Sequence, residues 1–335
     1  MLSSLVQAIQ TLDKEGFTKA AAEILAEKLR ALLSQEKDVN LTLEEEFLPY
    51  EIEDLGVEVI VEREGGYALP AGAPDIFRIF RIIVPPVGVR CAIEVAGHKL
   101  YFFTYGYIGK EIRMATNYFP LALVIGLSLK EIPFSWSWKE IYRRKSVYET
   151  KPNAQQLAGE ITKELEDCAQ IIANKVKNLK EFQNTFTYEK IMQVLSDALR
   201  SNGIDYLIPS RAEDNPSLRF ELVGPPEDRR MDFCLFFQVN LECPLVSEGG
   251  LGKVGMLYLL VGTEGDITVR ILYPNLESRG KWSSIAREQL IAKDELWVQA
   301  VKEIVREAIP YFKEALKKRL PNVIYEMRVE KGLLG

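Results

Sequence analysis

The stretch MDFCLFFQVNL at residues 231–241 places an apolar side chain at every odd-numbered position. This period-two alternation is typical of a β-strand with one buried face. A Pro-rich turn at residues 224–230 precedes it, and residues 254–262 and 267–273 read as two further strands around a turn. Because short connections join strands that lie side by side and antiparallel, the stretch predicts an antiparallel sheet.

The first half of the chain carries a similar series of strands. Residues 57–62 (VEVIVE) and 87–95 (VGVRCAIEV) show the same alternation, and the second of these leads through Gly97-His98 into a further strand. This pair predicts a hairpin. Residues 76–84 are apolar on both parities apart from two arginines, which predicts a central strand.

Amphipathic helices are predicted before and after each of the two series of strands. A helix is predicted at residues 19–33 with Thr18 as its N-cap, and another around residues 191–199, ended by Asn202-Gly203. Longer amphipathic helices are predicted at residues 157–179 and 298–316. Pro310 lies inside the last of these and is expected to kink or restart it.

One order of elements therefore occurs twice: helix, strand, Pro-rich turn, strand, hairpin, Trp-containing segment and long helix. We predict an α+β fold of two similar, mostly antiparallel sheets, each flanked by a short N-terminal helix and a long C-terminal amphipathic helix. Internal duplication is a hypothesis that this order suggests. A length of 335 residues favours two domains, which we place at residues 1–183 and 184–335.

Composition and charge are those of an ordinary globular chain, with 47% hydrophobic residues and a formal net charge of −6. No run approaches the ~18 uninterrupted apolar residues that span a bilayer, and no basic signal-peptide region is present at the start. Membrane insertion and secretion are not expected. Acidic residues are concentrated in residues 44–64, which hold nine carboxylates and one arginine. This stretch is interpreted as a solvated connection and strand face.

Four cysteines lie at positions 91, 168, 234 and 243 without forming a C-x-x-C pair. Buried thiols of this kind are typical of a reducing compartment, so we predict a cytoplasmic protein. Cys234 and Cys243 could bridge two strands, although nothing in the pattern requires it.

Motifs for nucleophilic catalysis, zinc and nucleotides are weak. His98 is the one histidine of the sequence and falls in a predicted hairpin turn, so neither a catalytic triad nor a zinc site is expected. Residues 248–254 (EGGLGKV) resemble the deviant P-loop of the ParA and MinD family of ATPases. Val254 stands where that motif has its magnesium-binding hydroxyl, and a strand follows where the motif has a helix. A hairpin connection is therefore predicted, with no cofactor.

Carboxylates at strand ends can hold the divalent metals of a hydrolase. Asp75, Glu94 and Lys99 are similar to the acid, acid and lysine of the PD-(D/E)xK nucleases. In that family one residue separates the last acid from the lysine on one strand, whereas Glu94 and Lys99 are five positions apart across a turn. Asp232 in the second half has no such lysine after it. No catalytic or metal residue is predicted.

The segment at residues 136–148 interleaves aromatic side chains with four cations and one acid in an otherwise acidic chain. Three interpretations stay open: a connection anchored by Trp136 and Trp138 with solvated cations, a surface for another protein, and a site that stacks bases and follows phosphates. The candidate partner-binding residues are Trp136, Lys139, Tyr142, Arg143, Arg144, Lys145 and Tyr148.

These observations favour a non-enzymatic protein-interaction or assembly module, an adaptor or subunit of a larger complex. Another protein is the expected partner, ahead of nucleic acid, and no membrane partner is expected. Two alternatives remain: a metal-dependent, nuclease-like hydrolase of degenerate PD-(D/E)xK type, and a small-molecule sensor with a pocket between the two halves.

Overall fold

The computed structural model describes residues 1–36, 39–44, 57–62, 79–84, 87–95, 97–113, 116–131, 138–223, 230–243, 253–275, 281–291 and 296–319. Within these ranges it contains five helices, two six-stranded antiparallel sheets and one two-stranded sheet. The predicted α+β class with two antiparallel sheets is confirmed. The chain divides into two compact units, Met1–Val176 and Lys177–Gly335. The boundary predicted after residue 183 and this division both fall within one helix, Ala154–Thr185.

The first unit is an antiparallel meander preceded by two helices and followed by a long one. Its large sheet has the order β1-β4-β5-β7-β8, with the short β6 paired to the first residues of β7, and β2 pairs with β3 in a separate ribbon. The elements are α1 (Leu2–Thr11), α2 (Lys14–Leu33), β1 (Val39–Glu44), β2 (Val57–Glu62), β3 (Ile79–Val84), β4 (Val87–Val95), β5 (His98–Ile108), β6 (Glu111–Arg113), β7 (Thr116–Ser128), β8 (Trp138–Tyr148) and α3 (Ala154–Thr185).

The second unit has a similar large sheet, preceded by one helix and followed by a long one, and the β2–β3 ribbon has no counterpart among its described residues. Its sheet has the order β10-β11-β12-β13-β14, and β9 pairs with the far end of β11. The elements are α4 (Tyr188–Arg200), β9 (Ile208–Arg211), β10 (Ser217–Val223), β11 (Arg230–Glu242), β12 (Lys253–Gly262), β13 (Asp266–Pro274), β14 (Trp282–Ile291) and α5 (Leu296–Arg319). The alternating stretch at residues 231–241 is confirmed as a strand, in the middle of β11.

Helix α2 begins earlier than its sequence predicts. Asp13 is the N-cap, and its Oδ1 accepts hydrogen bonds from the backbone N–H groups of Glu15 (3.2 Å) and Gly16 (3.1 Å). Thr18 is buried inside the helix, where its hydroxyl donates to the Lys14 carbonyl at 2.8 Å. The predicted N-cap at Thr18 is therefore wrong, because an aspartate earlier in the chain already satisfies the first free N–H groups.

Helices α4 and α5 follow their predictions more closely. Gly203, with φ of 72°, ends the α4 turn, and the Ile204 N–H returns to the Leu199 carbonyl at 3.0 Å. Helix α5 continues through Pro310 as one element rather than restarting there.

Two kinds of strand depart from prediction. β3 is predicted as a central strand but pairs with β2 in the ribbon. A run that is apolar at both odd and even positions indicates that both faces of the strand are buried, but it does not identify the partner strands. The two Trp-containing segments, expected as connections, form β8 and β14 at the ends of the two sheets. They were missed because the order of side chains in WKEIYRRKSVY does not alternate apolar with polar.

Each sheet packs its helices on one face. In the first unit Gly106 lets α2 approach β5, because a Cβ there would lie 2.5 Å from the Thr18 hydroxyl. In the second, Tyr188 of α4 meets Phe237 edge to face with ring centroids 5.3 Å apart. A Cβ at Gly255 would come within 2.7 Å of the Phe312 ring of α5. Close backbone approach at these glycines sets the helix-to-sheet packing.

All four cysteines are buried. Cys234 lies near the start of β11 and Cys243 just after its end, so about 30 Å of extended strand separates them and they do not form the bridge considered above. Burial raises the pKa of the Cys168 thiol to about 12, which makes it unreactive at neutral pH. Among the described residues, no helix is both long and apolar enough to cross a membrane.

Candidate docking surface on strand β8

Strand β8 is the last strand of the first sheet and carries most of the predicted partner-binding residues. It pairs with β7 and with no other strand that the structure describes. A bulge between Ile125 and Gly126 of β7 sets which side chains of β8 reach each face. From Tyr142 onward, even-numbered positions turn toward α3, and the odd-numbered Arg143 and Lys145 are exposed on the other face.

Arg144 is held by two carboxylates of α3. Its Nη1 donates to Glu164 Oε1 at 2.7 Å, and its Nη2 donates to Glu160 Oε2 at 3.0 Å and to the Tyr148 hydroxyl at 3.2 Å. Glu160 and Glu164 lie one helical turn apart, so one guanidinium reaches both. We call Arg144 with these two glutamates the arginine fork of the first unit.

The fork shifts the proton affinities of its members. Hydrogen bonds from Arg144 lower the pKa of Glu160. Burial opposes the positive charge of Arg144, but hydrogen bonds to Glu164, Glu160 and Tyr148 outweigh it and raise the pKa of the guanidinium. Burial, followed by the hydrogen bond to Glu164, raises the pKa of the Tyr142 hydroxyl. All three shifts stabilise the charged fork with a neutral tyrosine beside it.

The second unit contains the same fork at the same spacing. Arg287 of β14 contacts Glu307 of α5 through Nη2, and its Nε lies 3.9 Å from Glu303 Oε2. The separation in sequence between the arginine and each of its two glutamates is identical in the two units.

The helices that supply the two forks also share most of their buried positions. When the two halves are aligned so that Arg144 matches Arg287, most buried residues of α3 coincide with buried residues of α5. The matching pairs are Ala154 and Trp297, Leu157 and Ala300, Ala158 and Val301, Ile161 and Ile304, Leu165 and Ala308, Ala169 and Phe312, Ile172 and Ala315, and Ala173 and Leu316.

This repetition separates the candidate residues into two groups. Arg144 belongs to a packing arrangement that each unit uses to tie its last strand to its last helix. Tyr142 and Tyr148 share the same face and contact the fork. The sequence holds a signal for this pairing, the pattern Arg-x15-Glu-x3-Glu in each half, which becomes visible when the halves are aligned on their arginines.

The remaining cations are specific to the first unit. Strand β14 (WSSIAREQLI) has Arg287 as its one cation, whereas β8 adds Lys139, Arg143 and Lys145. Arg143 is 38% exposed and pairs with Glu140 on its own strand, with Nε 2.7 Å from Oε2. Lys145 is exposed and Lys139 partly so. Trp136 lies outside the described residues and Trp138 is described in its backbone alone, so the anchoring role of both stays a prediction.

The structure describes some of the residues of the hydrolase alternative. Glu94 and Lys99 are direct cross-strand partners beside the β4–β5 turn, and both are exposed. Asp75 lies outside the described residues. Asp232 is buried and accepts a hydrogen bond from the Thr263 hydroxyl at 2.8 Å.

Glu242, the other acid of β11, lies at the opposite end of that strand from Asp232 and accepts a hydrogen bond from Ser210 at 2.8 Å. Within the described ranges no group of three His, Cys, Asp or Glu side chains could hold a metal ion.

His98 and the P-loop-like segment are also placed. His98 is the first residue of β5 rather than a turn residue, and burial lowers its pKa. Val254 is buried in β12, so a strand follows the glycine-rich segment as its sequence predicts; residues 248–252 lie outside the described part. No family model matches the chain, and neither a curated protein nor a solved structure matches it.

Proposed function

We propose that the protein is a non-enzymatic protein-interaction or assembly module, an adaptor or subunit of a larger complex, which docks another protein along strand β8. The observation that carries this proposal is the contrast between the last strands of the two sheets. Both keep the arginine fork, but β8 alone adds the cations Lys139, Arg143 and Lys145.

A last strand of this kind has the features that protein partners use. One row of its backbone N–H and C=O groups faces away from its paired neighbour, and such an edge can accept a strand from another chain. Exposed cations along it would attract an acidic partner and speed the encounter. The docking residues of this proposal are Lys139, Arg143 and Lys145, because β14 has no counterpart to them, whereas Arg144 belongs to the fork that both units share.

The test removes these three cations together and compares the variant with a matched control. Lys139→Ala/Arg143→Ala/Lys145→Ala loses three positive charges from β8. Arg30→Ala/Lys110→Ala/Lys163→Ala loses three exposed positive charges elsewhere in the first unit. Proteins that wild type recovers from a lysate are identified, purified and titrated against all three chains.

The proposal expects a purified partner that binds wild type and the control alike and the β8 variant at least about tenfold more weakly. Equal affinity for all three chains would overturn it. A single-stranded oligonucleotide is titrated in parallel. Binding of the oligonucleotide that depends on β8, without a protein partner that does, would assign the surface to nucleic acid and count against the proposal.

A further inference from the structure

One face of the second sheet turns away from the helices of its unit. Phe237 and Gly255 lie against α4 and α5, so residues of the alternate parity point to the other side. Tyr258 of β12 and Arg270 of β13 are direct cross-strand partners on this second face. Both side chains are partly buried, and Ser284 of β14 is exposed on the same face. Part of the face is therefore open to solvent.

Arg270 lies among described residues that offer its guanidinium no partner. Its Nε is buried and has no hydrogen-bond acceptor, and its side chain forms no ion pair with any described residue. The described positions around it on this face carry no acid. They are Met256, Tyr258, Leu260, Thr268, Leu272, Ser284 and Ala286.

Two other arginines that turn away from the helices do have acceptors. Arg219, on the same face as Arg270, donates through Nε to Ser217 Oγ at 3.0 Å, and its Nη2 lies 3.6 Å from Glu213 Oε1. Arg90 of the first sheet donates to a backbone carbonyl at 3.0 Å. A buried N–H without an acceptor destabilises a fold, and positions that break such a rule are commonly functional sites.

Next to Arg270 the face offers an aromatic ring that is fixed in place. Tyr258 is tilted against Phe236 with ring centroids 5.0 Å apart, and its hydroxyl donates to the Met256 sulfur at 3.6 Å. The Arg219 guanidinium covers the Phe236 ring, with Cζ 3.7 Å from the centroid. Cross-strand partners lie about 5 Å apart, so a group bound by Arg270 would contact the Tyr258 ring.

We propose that Arg270 and Tyr258 form a binding site for a small organic oxyanion, a carboxylate or phosphate monoester attached to a flat apolar body. The planar guanidinium matches the oxyanion, and the tyrosine ring packs on the flat body. One unpaired cation suits one anionic group, whereas a nucleic acid strand needs a row of cations along its phosphates. This site lies in the second unit and does not depend on the docking surface of β8.

The experiment measures binding of small probes to the full chain by saturation-transfer difference NMR at low ionic strength. Benzoate and phenyl phosphate carry an oxyanion on a ring. Benzamide has the ring without the charge, and acetate and methyl phosphate have the charge without the ring. Arg270→Met removes the guanidinium and keeps an unbranched stem. Arg219→Met is the matched control, because it makes the same change at the partnered arginine of the same face.

We expect benzoate or phenyl phosphate to bind wild type and Arg219→Met with a Kd of about 1–10 mM, which is ordinary for ligands of this size. Arg270→Met should bind the same probe at least about tenfold more weakly. Probes that lack the ring or the charge should bind wild type at least about fivefold more weakly than the ring probe does. Whichever ring probe binds more tightly identifies the oxyanion as carboxylate or phosphate.

Thermal unfolding gives a second readout. Because Arg270 has no partner to lose, Arg270→Met should keep or raise the melting temperature of wild type. A melting temperature lower by more than about 3 °C would show that the guanidinium serves the fold and would overturn the proposal. Equal probe affinity for wild type and Arg270→Met would overturn it too, as would an equal loss in Arg219→Met. The proposal also falls if neither ring probe binds wild type at about 50 mM.

Discussion

The last strand and last helix of the first unit, β8 with α3, follow the same plan as β14 with α5 in the second, yet their surfaces differ. Arg144 and Arg287 reach glutamates at identical spacings, and most buried positions of the two helices coincide. We attribute the features that both units share to folding, because each unit must fix its last strand. What β8 has and β14 lacks is therefore where a specific role is best sought.

At one matched core position the two helices carry side chains of very different size, and we expect a large effect there. Phe312 of α5 fills space opened by Gly255, whereas its counterpart in α3 is Ala169. Phe312→Ala should lower the free energy of unfolding by about 3–5 kcal/mol, because it leaves a cavity of aromatic size. Urea unfolding followed by circular dichroism measures this loss.

The reverse change tests whether the matched positions are interchangeable. Ala169→Phe should also destabilise the chain, by about 1–3 kcal/mol, because Ala169 is fully buried and a ring there must displace its neighbours. The control for Phe312→Ala is Tyr311→Ala, at the neighbouring but partly exposed position. A loss below about 1 kcal/mol for Phe312→Ala would mean that the ring is not part of the core.

The forks should differ in strength, although their spacing is the same. The Arg144 side chain is 16% exposed and has three hydrogen-bond acceptors within 3.2 Å, while that of Arg287 is 36% exposed. Arg144→Ala should therefore lower the free energy of unfolding by about 1–3 kcal/mol and Arg287→Ala by about 0.5–1 kcal/mol. A double-mutant cycle of Arg144→Ala with Glu164→Gln isolates the pair. Equal losses for the two arginines would contradict the ranking.

Acid should weaken the fork of the first unit. Hydrogen bonds from Arg144 lower the pKa of Glu160, so their stabilisation is present above the usual carboxyl pKa and is lost as the pH falls through the lowered value. Urea midpoints measured across the acid range should fall more steeply for wild type than for Arg144→Ala. Parallel curves for the two chains would show that Glu160 is not linked to folding.

The smallest effect on stability is expected where the two strands differ. Lys139→Ala/Arg143→Ala/Lys145→Ala should leave the free energy of unfolding within about ±0.5 kcal/mol per site, because surface charge substitutions rarely cost more. Thermal unfolding by differential scanning calorimetry checks this. A large drop in the melting temperature would show that these cations stabilise the fold, as we expect Arg144 to do. It would then contradict a docking role specific to β8.

The sequence predicts the alternating strands well and the ends of elements less well. β11 and the β12–β13 hairpin are recognisable because one face of each strand is uniformly apolar, although most residues of β11 and β12 are buried on both faces in the structure. Asp13 and Thr18 are both acceptable N-caps, and a preference for residue types does not decide between them. The pairing of β3 with β2 is likewise a choice of partner that the strand's own sequence does not contain.

The composition of residues 136–148 identifies the candidate surface, but residues 138–148 form a strand rather than the predicted connection. The cluster of cations and aromatics in residues 136–148 stands out in an acidic chain, but it was interpreted as a connection. Its even-numbered side chains are polar in the sequence but partly buried in the structure. The partners of Arg144, Glu160 and Glu164, belong to a helix that begins only after the strand ends. The periodicity of a sequence does not reveal such hydrogen-bond partners, because they depend on where the next element packs.

The meander has a consequence for the order in which the chain folds. Neighbouring strands of each large sheet are mostly neighbours in sequence, and each fork joins a strand to the helix that directly follows it. Contacts of such short range form quickly, because little loop entropy is lost in making them. During synthesis, the first sheet and its fork can therefore be complete once α3 has left the ribosome, before any strand of the second sheet exists. The nascent first unit would then already display β8 to whatever it meets while the rest of the protein is still being made.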